Sequence, residues 1–438
     1  MLEKLRNMFQ IPELRRRLIF TLLMFVAYRL GEHVPTPGVN ARALAGVFQS
    51  SGSLFGLYDF FVGGAFSRAT VFALGIMPYI SASIILQLLG AVVPALEKLR
   101  KEGEEGQKKI TQYTRYGTVI IAVIQSFAYS VFLANLGASQ GVAIVPNPGI
   151  AFTLSTIITQ TAGTILVMWM GEKITEHGIG NGISLIIFLN IVGRLPNSLF
   201  AAVDSFRAGT LTVIHIGVVG ILAIAVIAAV IFMTQGTRKI PVQYAKRIVG
   251  RRMYGGSNTF IPLRVNTAGV IPIIFALSLM SLPTAVAGFV PPGHPLAQLH
   301  NWFNPTGWLY NILYGLIIVF FTYFYTAVVL NPNDLAENMR KYGGFIPGVR
   351  PGKKTAEYID RVLSRVTLPG AVFLALIAVI PDLAFSALGL PFLAFGGTSV
   401  LIVVGVALDT LQQIESHLLM RHYEGFVKRG RIRGRQRM

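Results

Sequence analysis

Apolar runs of about 20 residues, each closed by polar or charged residues, recur along this chain, and that length of helix crosses the hydrocarbon core of a bilayer. Ten runs are expected, near 17–34, 76–97, 115–136, 151–171, 183–200, 212–233, 268–289, 307–330, 367–388 and 395–419. They do not alternate. "GVVGILAIAVIAAVIFM" (217–233) is apolar throughout, which predicts a helix and not a strand of a membrane barrel. The expected fold class is an all-α polytopic membrane protein with ten transmembrane helices. Five runs precede the loop near 201–211 and five follow it. The two halves, 1–200 and 201–420, would then run in opposite directions, with a basic tail at 421–438. That reading rests on counting spans, since the sequence shows no clear repeat.

One apolar stretch breaks the pattern. "SLFGLYDFFVGGAFSRA" (53–69) is too short to span and is interrupted by Asp59, Gly63, Gly64 and Arg68. Irregular backbone at membrane depth has to pack inside protein or line a cavity, so a short re-entrant helix is expected. The alternative is an amphipathic helix lying on the outer membrane surface.

A second anomaly is "GIMPYISASIILQLLG" (75–90). Ile76, Ile80 and Ile84 share a helix face with Phe72, while Ser81, Ser83 and Gln87 sit among them. "GIGNGISLIIFLNI" (178–191) repeats the design with Ile183, Ile187 and Ile191, and with Ser184 and Asn190 nearby. Two readings stay open. Small residues and isoleucines serve ordinary helix packing, or stiff aliphatic side chains line a narrow, dewetted constriction.

Composition and charge sharpen the picture. Only 13% of the 438 residues are charged, half the share of an ordinary soluble chain, and 53% are apolar. The absence of cysteine removes disulfides, thiolate metal sites and thiol catalysis. Of the 38 Lys and Arg residues, 33 lie in 1–17, 98–116, 172–182, 234–265, 331–366 and 420–438. Only Arg29, Arg42, Arg68, Arg194 and Arg207 lie elsewhere. These segments alternate with the spans, so they and both termini are expected on the cytoplasmic side. "MLEKLRNMFQIPELRRR" reads as a charged, amphipathic leader, with no cleavable signal peptide expected.

Two of the cytoplasmic loops are longer than topology needs. "KIPVQYAKRIVGRRMYGGSNTFIPLRV" (239–265) reads as two strand-like arms around a Gly-rich turn bearing Arg251 and Arg252. "NMRKYGGFIPGVRPGKKTAEYIDRVLSR" (338–365) sets Arg350 before a proline, with Lys353 and Lys354 following. Positive-inside charge accounts for part of this. Projecting basic arms also suit an acidic protein surface or RNA phosphate.

Chemistry is sparse. The spans carry almost no ionisable groups beyond Arg29 and Asp409, which argues against an ion-coupled transporter. No His pair has metal-ligand spacing, and no Ser–His or Asp pair stands out, which argues against an intramembrane enzyme. "GIGNG" lacks the strand that a phosphate loop requires and is expected to be a tight turn. "RPGKKT" (350–355) is a near miss for a nucleotide loop. No metal, cofactor or catalytic site is expected.

Four stretches now carry a resemblance: "GGAFSRATVFALGIMPYISASIILQLL", "ITEHGIGNGISLIIF", "VNTAGVIPIIFA" and "PFLAFGGTSVLIVVGVALD". In this order they resemble the SecY family of bacterial protein-conducting channels, from the first span to the tail. The resemblance implies two halves closed as a clamshell around an hourglass pore. Unfolded secretory polypeptide would pass through it, and membrane segments would leave it sideways into the lipid of the bacterial inner (cytoplasmic) membrane. It implies a pore ring of Ile76, Ile80, Ile183, Ile187, Ile274 and Ile402. It assigns 54–68 to a plug that includes Asp59, Phe60, Phe61, Gly63, Gly64 and Arg68. A lateral gate would include Ser81, Ser83 and Gln87 on one side and Asn266 on the other. Arg251, Arg252, Arg350, Lys353 and Lys354 would dock the ribosome, through rRNA phosphate, or the SecA motor. SecE and SecG would be companion subunits, and signal sequences would be recognised in the channel. The channel itself would be passive, with energy supplied by the partner. His177, Val62 and Phe66 depart from the usual family residues, which bears on loop docking and plug packing.

Overall fold

A computed structural model describes residues 11–50, 56–140, 143–209, 211–244, 247–249, 252–254, 258–289, 307–387 and 396–429. The elements are α1 (Pro12–Gly31), α2 (Ala41–Ser50), α3 (Gly56–Phe61), α4 (Met77–Val92), α5 (Pro94–Lys101), α6 (Glu104–Gln140), α7 (Ile150–His177), α8 (Gly182–Arg207) and α9 (Val213–Gln235). Strands β1 (Thr237–Tyr244), β2 (Arg247–Val249), β3 (Arg252–Tyr254) and β4 (Asn258–Arg264) follow. The chain continues through α10 (Ile271–Phe289), α11 (Trp308–Val329), α12 (Pro332–Lys341), β5 (Gly344–Phe345), α13 (Lys353–Ala387) and α14 (Gly397–Arg429).

Each of the ten apolar runs meets a helix: α1, α4, α6 to α11, α13 and α14. Among the described residues, seven of these helices are long and apolar enough to cross a membrane, and α4 with α5 adds an eighth if that bent pair counts as one span. The bend between them is 98°. Proline explains it. Pro94 opens α5, where its missing N–H costs nothing, but it cannot continue α4. Pro12 and Pro78 likewise stand in the first turns of α1 and α4. Large apolar side chains on α9, among them Ile214, Ile221, Ile224 and Phe232, are exposed, a surface suited to hydrocarbon.

The chain forms two compact units, Met1–Leu195 with Val406–Met438, and Pro196–Gly405. In the first unit, α7 lies directly on irregular backbone. A Cβ at Gly163 would overlap the carbonyl of Val71. Beside it lies a core of Leu44, Phe66, Ala69, Ala73, Tyr129, Leu133, Ile144, Val145 and Phe152. A smaller core joins Leu14, Ile179 and Ile414.

The sequence "GIGNG" folds as a turn in which four of the five amides, those of Gly178, Ile179, Gly180 and Gly182, already have partners. Thr21 Oγ1 accepts from Ile179 N–H at 3.2 Å and Gln413 Oε1 from Gly180 N–H at 2.9 Å. Asn181 Oδ1 caps α8 by accepting from Ile183 and Ser184 N–H at 3.1 Å. The one remaining amide, that of Asn181, does not make a phosphate cradle.

In the second unit the two long loops become one small module. β1 pairs antiparallel with β4, in register from Thr237 opposite Arg264 to Gln243 opposite Asn258. The expected arms are therefore present, and β2 pairs with β3 near the turn. β5, from the other loop, adds to the far edge of β1. Ile240, Val242 and Leu263 of this sheet share a core with Met339, Ile346, Ile359 and Leu363. The alternation of buried and exposed positions along β1 is what a sheet covered on one face by α12 and α13 requires.

Replacing Ile359 by alanine should cost this module about 2–5 kcal/mol, since the side chain is fully buried. Faster trypsin cleavage within 237–264 of the intact protein, with the membrane helices unaffected, is the expected readout. Unchanged cleavage would mean that the module does not depend on this core.

Candidate functional site

The stretch that interrupts the apolar pattern becomes α3 followed by turns from Val62 to Ile76. It is buried: Phe61, Val62, Ala65, Phe66 and Ala69 are all under a tenth exposed, as is Asp59. A surface helix would have left one face of this segment in water or lipid, so the re-entrant reading holds. Two consecutive residues, Gly63 and Gly64, adopt φ of 72° and 84°. The left-handed region strains any residue with a side chain there.

Buried turns leave backbone groups that neither helix nor sheet satisfies, and side chains satisfy them here. Within the segment, Asp59 Oδ1 accepts from Ser67 N–H at 2.8 Å. Arg68 donates to the carbonyls of Gly64 and Gly63 at 2.9 and 3.1 Å. From the surrounding helices, Tyr129 on α6 donates to Phe66 O at 2.8 Å. Gln160 on α7 donates to Thr70 O at 2.8 Å. Asn190 on α8 donates to Phe61 O at 2.9 Å and to the Tyr28 hydroxyl at 3.0 Å. Arg194 pairs with Asp59 at 3.1 Å. On α1, Arg29 pairs with the fully buried Glu32 and also donates to Leu189 O.

The isoleucines lie close by in the chain. Ile76 is the residue that caps α4, and Ile80 and Ile187 are each 3% exposed. Ile183 is half-buried. A Cβ at Gly171 on α7 would lie 3.2 Å from Cγ1 of Ile183, so this side chain packs against a glycine. In the second unit, Ile274 and Ile402 are buried.

A family model described as SecY matches residues 70–411. The chain belongs to the SecY family. It is similar to the protein translocase subunit SecY of Aquifex aeolicus (strain VF5), with 47% identity covering 98% of this chain and 100% of that protein. It also resembles a solved structure described as that of a protein conducting channel, with a TM-score of 0.66 and 18% identity over 92% of each chain. Sec61 in the canine ribosome-channel complex from the endoplasmic reticulum gives a TM-score of 0.62 and 17% identity, again over 92% of each chain. The structural likeness, at such identities, establishes the SecY fold. The protein is a multi-pass membrane protein.

The residues expected at a lateral gate divide between the units. Ser81 is buried, and the half-buried Ser83 accepts from Gln87 Nε2 at 3.0 Å along α4. Gln87 Oε1 is buried without a hydrogen-bond partner, as is Asn266 Oδ1 in the second unit. Asn266 Nδ2 donates to Gly269 O at 3.1 Å. Of the residues expected to dock a partner, Arg350, Lys353 and Lys354 are exposed, and Lys354 pairs with Glu357 at 2.9 Å. Arg252 lies in β3, and Arg251 lies outside the described residues, as do residues 54 and 55 of the proposed plug. Phe60 lies in α3.

Sequence reasoning missed two acids, the buried Glu32 and the half-buried Asp382. Both fall inside expected spans. Asp382 Oδ1 accepts from Gly397 N–H at 3.2 Å, at the first turn of α14. The signal was available in the carboxylates themselves, which are rare at such depth.

Gly63→Ala tests the segment directly. A Cβ there would lie 2.7 Å from Glu32 Oε1, and the backbone conformation adds about 1–2 kcal/mol of strain. A lower unfolding midpoint of the purified protein in detergent is expected. An unchanged midpoint would show that the segment is not held in this conformation.

Proposed function

We propose that this protein is the channel subunit of a bacterial protein translocase. It passes unfolded secretory polypeptides across the cytoplasmic membrane and releases membrane segments and signal sequences sideways into lipid. The observation that carries the proposal is the buried, irregular segment at 58–76, side-chain-anchored among apolar helices. A transporter or an enzyme would use membrane-embedded polar groups on a substrate. Here Tyr129, Gln160 and Asn190 are spent on the backbone of one short segment, which suits a removable plug. Family membership supports the same reading.

On this proposal the two halves, 1–200 and 201–420, enclose the pore as an inverted pair. Ile76, Ile80, Ile183, Ile187, Ile274 and Ile402 form its constriction, where stiff aliphatic side chains exclude water and ions while the pore is empty. Ser81, Ser83, Gln87 and Asn266 belong to the lateral gate. Orphan amide oxygens at Gln87 and Asn266 suit surfaces that separate, because an opening gate hydrates them. The protein is not an enzyme, and the work comes from a bound motor or a translating ribosome. The basic segments face the cytoplasm together with both termini. Arg251, Arg252, Arg350, Lys353 and Lys354 dock SecA or ribosomal RNA, and SecE and SecG complete the complex. Exposure of Arg350 and Lys353 on a rigid sheet-and-helix module supports that role, since a preformed tip loses little entropy on binding.

The decisive test uses the cysteine-free chain. Single cysteines at Ile80, Ile187, Ile274 and Ile402 should each crosslink to a cysteine in a secretory chain stalled midway through export. Export without crosslinks at any of the four would place the path elsewhere. Arg350→Glu should weaken binding of the motor or ribosome by about tenfold or more, as loss and reversal of a charge at a contact does, without opening the resting pore. Unaltered affinity for both partners would remove Arg350 from the docking surface.

A further inference from the structure

Asn190 and Arg194 stand one turn apart on α8, and both grip the plug segment. Asn190 donates to Phe61 O at 2.9 Å and Arg194 pairs with Asp59 at 3.1 Å. Asn190 is 1% exposed and the Asp59 side chain 6%. Behind them, Tyr28 accepts from Asn190, and Arg29 holds both Glu32 and Leu189 O. Two acceptor oxygens, Glu32 Oε1 and Asn190 Oδ1, are buried without a hydrogen-bond partner. Both aim at the bare face of Gly63, within 2.7 and 3.1 Å of where a Cβ would stand.

This arrangement has a mechanical meaning. Aliphatic contacts are non-directional and resist small displacements weakly. A hydrogen bond and an ion pair lose most of their energy over about 1 Å of travel. Removing Arg194, itself a third exposed, leaves the buried Asp59 carboxylate without its cation. The two orphan oxygens act in the opposite direction, since they gain hydration when Gly63 moves away. The plug is thus held by a directional clamp over a site that favours release.

We propose that Asn190 and Arg194 are the positioning residues of a polar latch that sets how readily the plug leaves its seat. The resting leak of the channel and its tolerance of weak signal sequences are then controlled from α8, apart from the isoleucine ring. This rests on the channel reading above and deepens it.

The test uses the complete membrane complex in proteoliposomes, with ion efflux as readout. Asn190→Ala and Arg194→Ala should each raise resting efflux about 5–30-fold, the change that 1–2 kcal/mol produces. Both should also speed export of a substrate with a defective signal sequence, which mere misfolding would not do. Arg194→Lys should restore the seal. Asp59→Asn with Arg194→Ala should leak no more than the worse single variant, because the two act through one pair. A variant lacking 57–67 is the reference. If that variant leaks while both alanine variants stay at background, the latch is refuted. If Arg194→Lys leaks as Arg194→Ala does, the ion pair is not the latch. If neither the plug-deleted variant nor one with Ile80 and Ile187 replaced by serine conducts, the channel reading itself fails.

Discussion

Buried backbone has to be hydrogen-bonded, and this requirement organises the first unit. Between Val62 and Ile76 the chain is neither helix nor strand, yet it is packed among apolar helices. Some bonds are internal, such as Gly64 N–H to Asp59 O at 2.9 Å and Thr70 N–H to Ala65 O at 3.0 Å. Others come from the chain after α1, where Thr36 N–H donates to Ala69 O and Val71 N–H to Val34 O. The rest need polar side chains on membrane helices. A buried carbonyl left alone costs about 1–3 kcal/mol, whereas a made bond contributes about 1. Avoiding that penalty explains why Tyr129, Gln160 and Asn190 interrupt otherwise apolar helices.

The helices themselves were legible because their signal is local. An apolar run of span length needs no knowledge of its neighbours, and "GVVGILAIAVIAAVIFM" reads as α9 without context. The strand arms at 239–265 were legible for the same reason, through β-branched residues flanking a Gly-rich turn. The bend after Val92 was written in Pro94. What stayed hidden is non-local. Nothing in "GGFIPG" announces that Gly344 and Phe345 join the edge of β1 about 100 residues earlier in the chain. Asn190 and Tyr129 bond to carbonyls, and a carbonyl is present at every residue, so no sequence pattern marks the partner. Glu32 and Asp382 were visible in the sequence but easily passed over. Each lies near the end of an apolar run, where a carboxylate reads as the start of a loop.

The isoleucines show a further limit. Packing and the proposed sealing would use the same residues, and burial does not separate the two roles. Ile183 rests on the bare face of Gly171, an ordinary helix contact, while Ile187 one turn on is fully enclosed. A four-residue spacing fixes which face they share. It leaves open what that face meets.

A pore that must seal against ions and still open for a polypeptide has conflicting needs. A purely aliphatic closure adapts to any chain that enters, because its contacts carry no direction, and for the same reason it defines no single closed geometry. A purely polar closure defines its geometry sharply and pays heavily for every misplaced group. This chain keeps the two materials on separate residues of the same helices. On α8, Ile183 and Ile187 precede Asn190 and Arg194 by one to two turns. On the segment leading into α4, Asp59 and Phe61 precede Ile76 and Ile80. On the proposed reading, a movement of α8 would carry Ile183 and Ile187 together with Asn190 and Arg194, although either set can be altered without the other. On that reading Glu32 Oε1 and Asn190 Oδ1, buried without a hydrogen-bond partner beside Gly63, would lower the cost of its release.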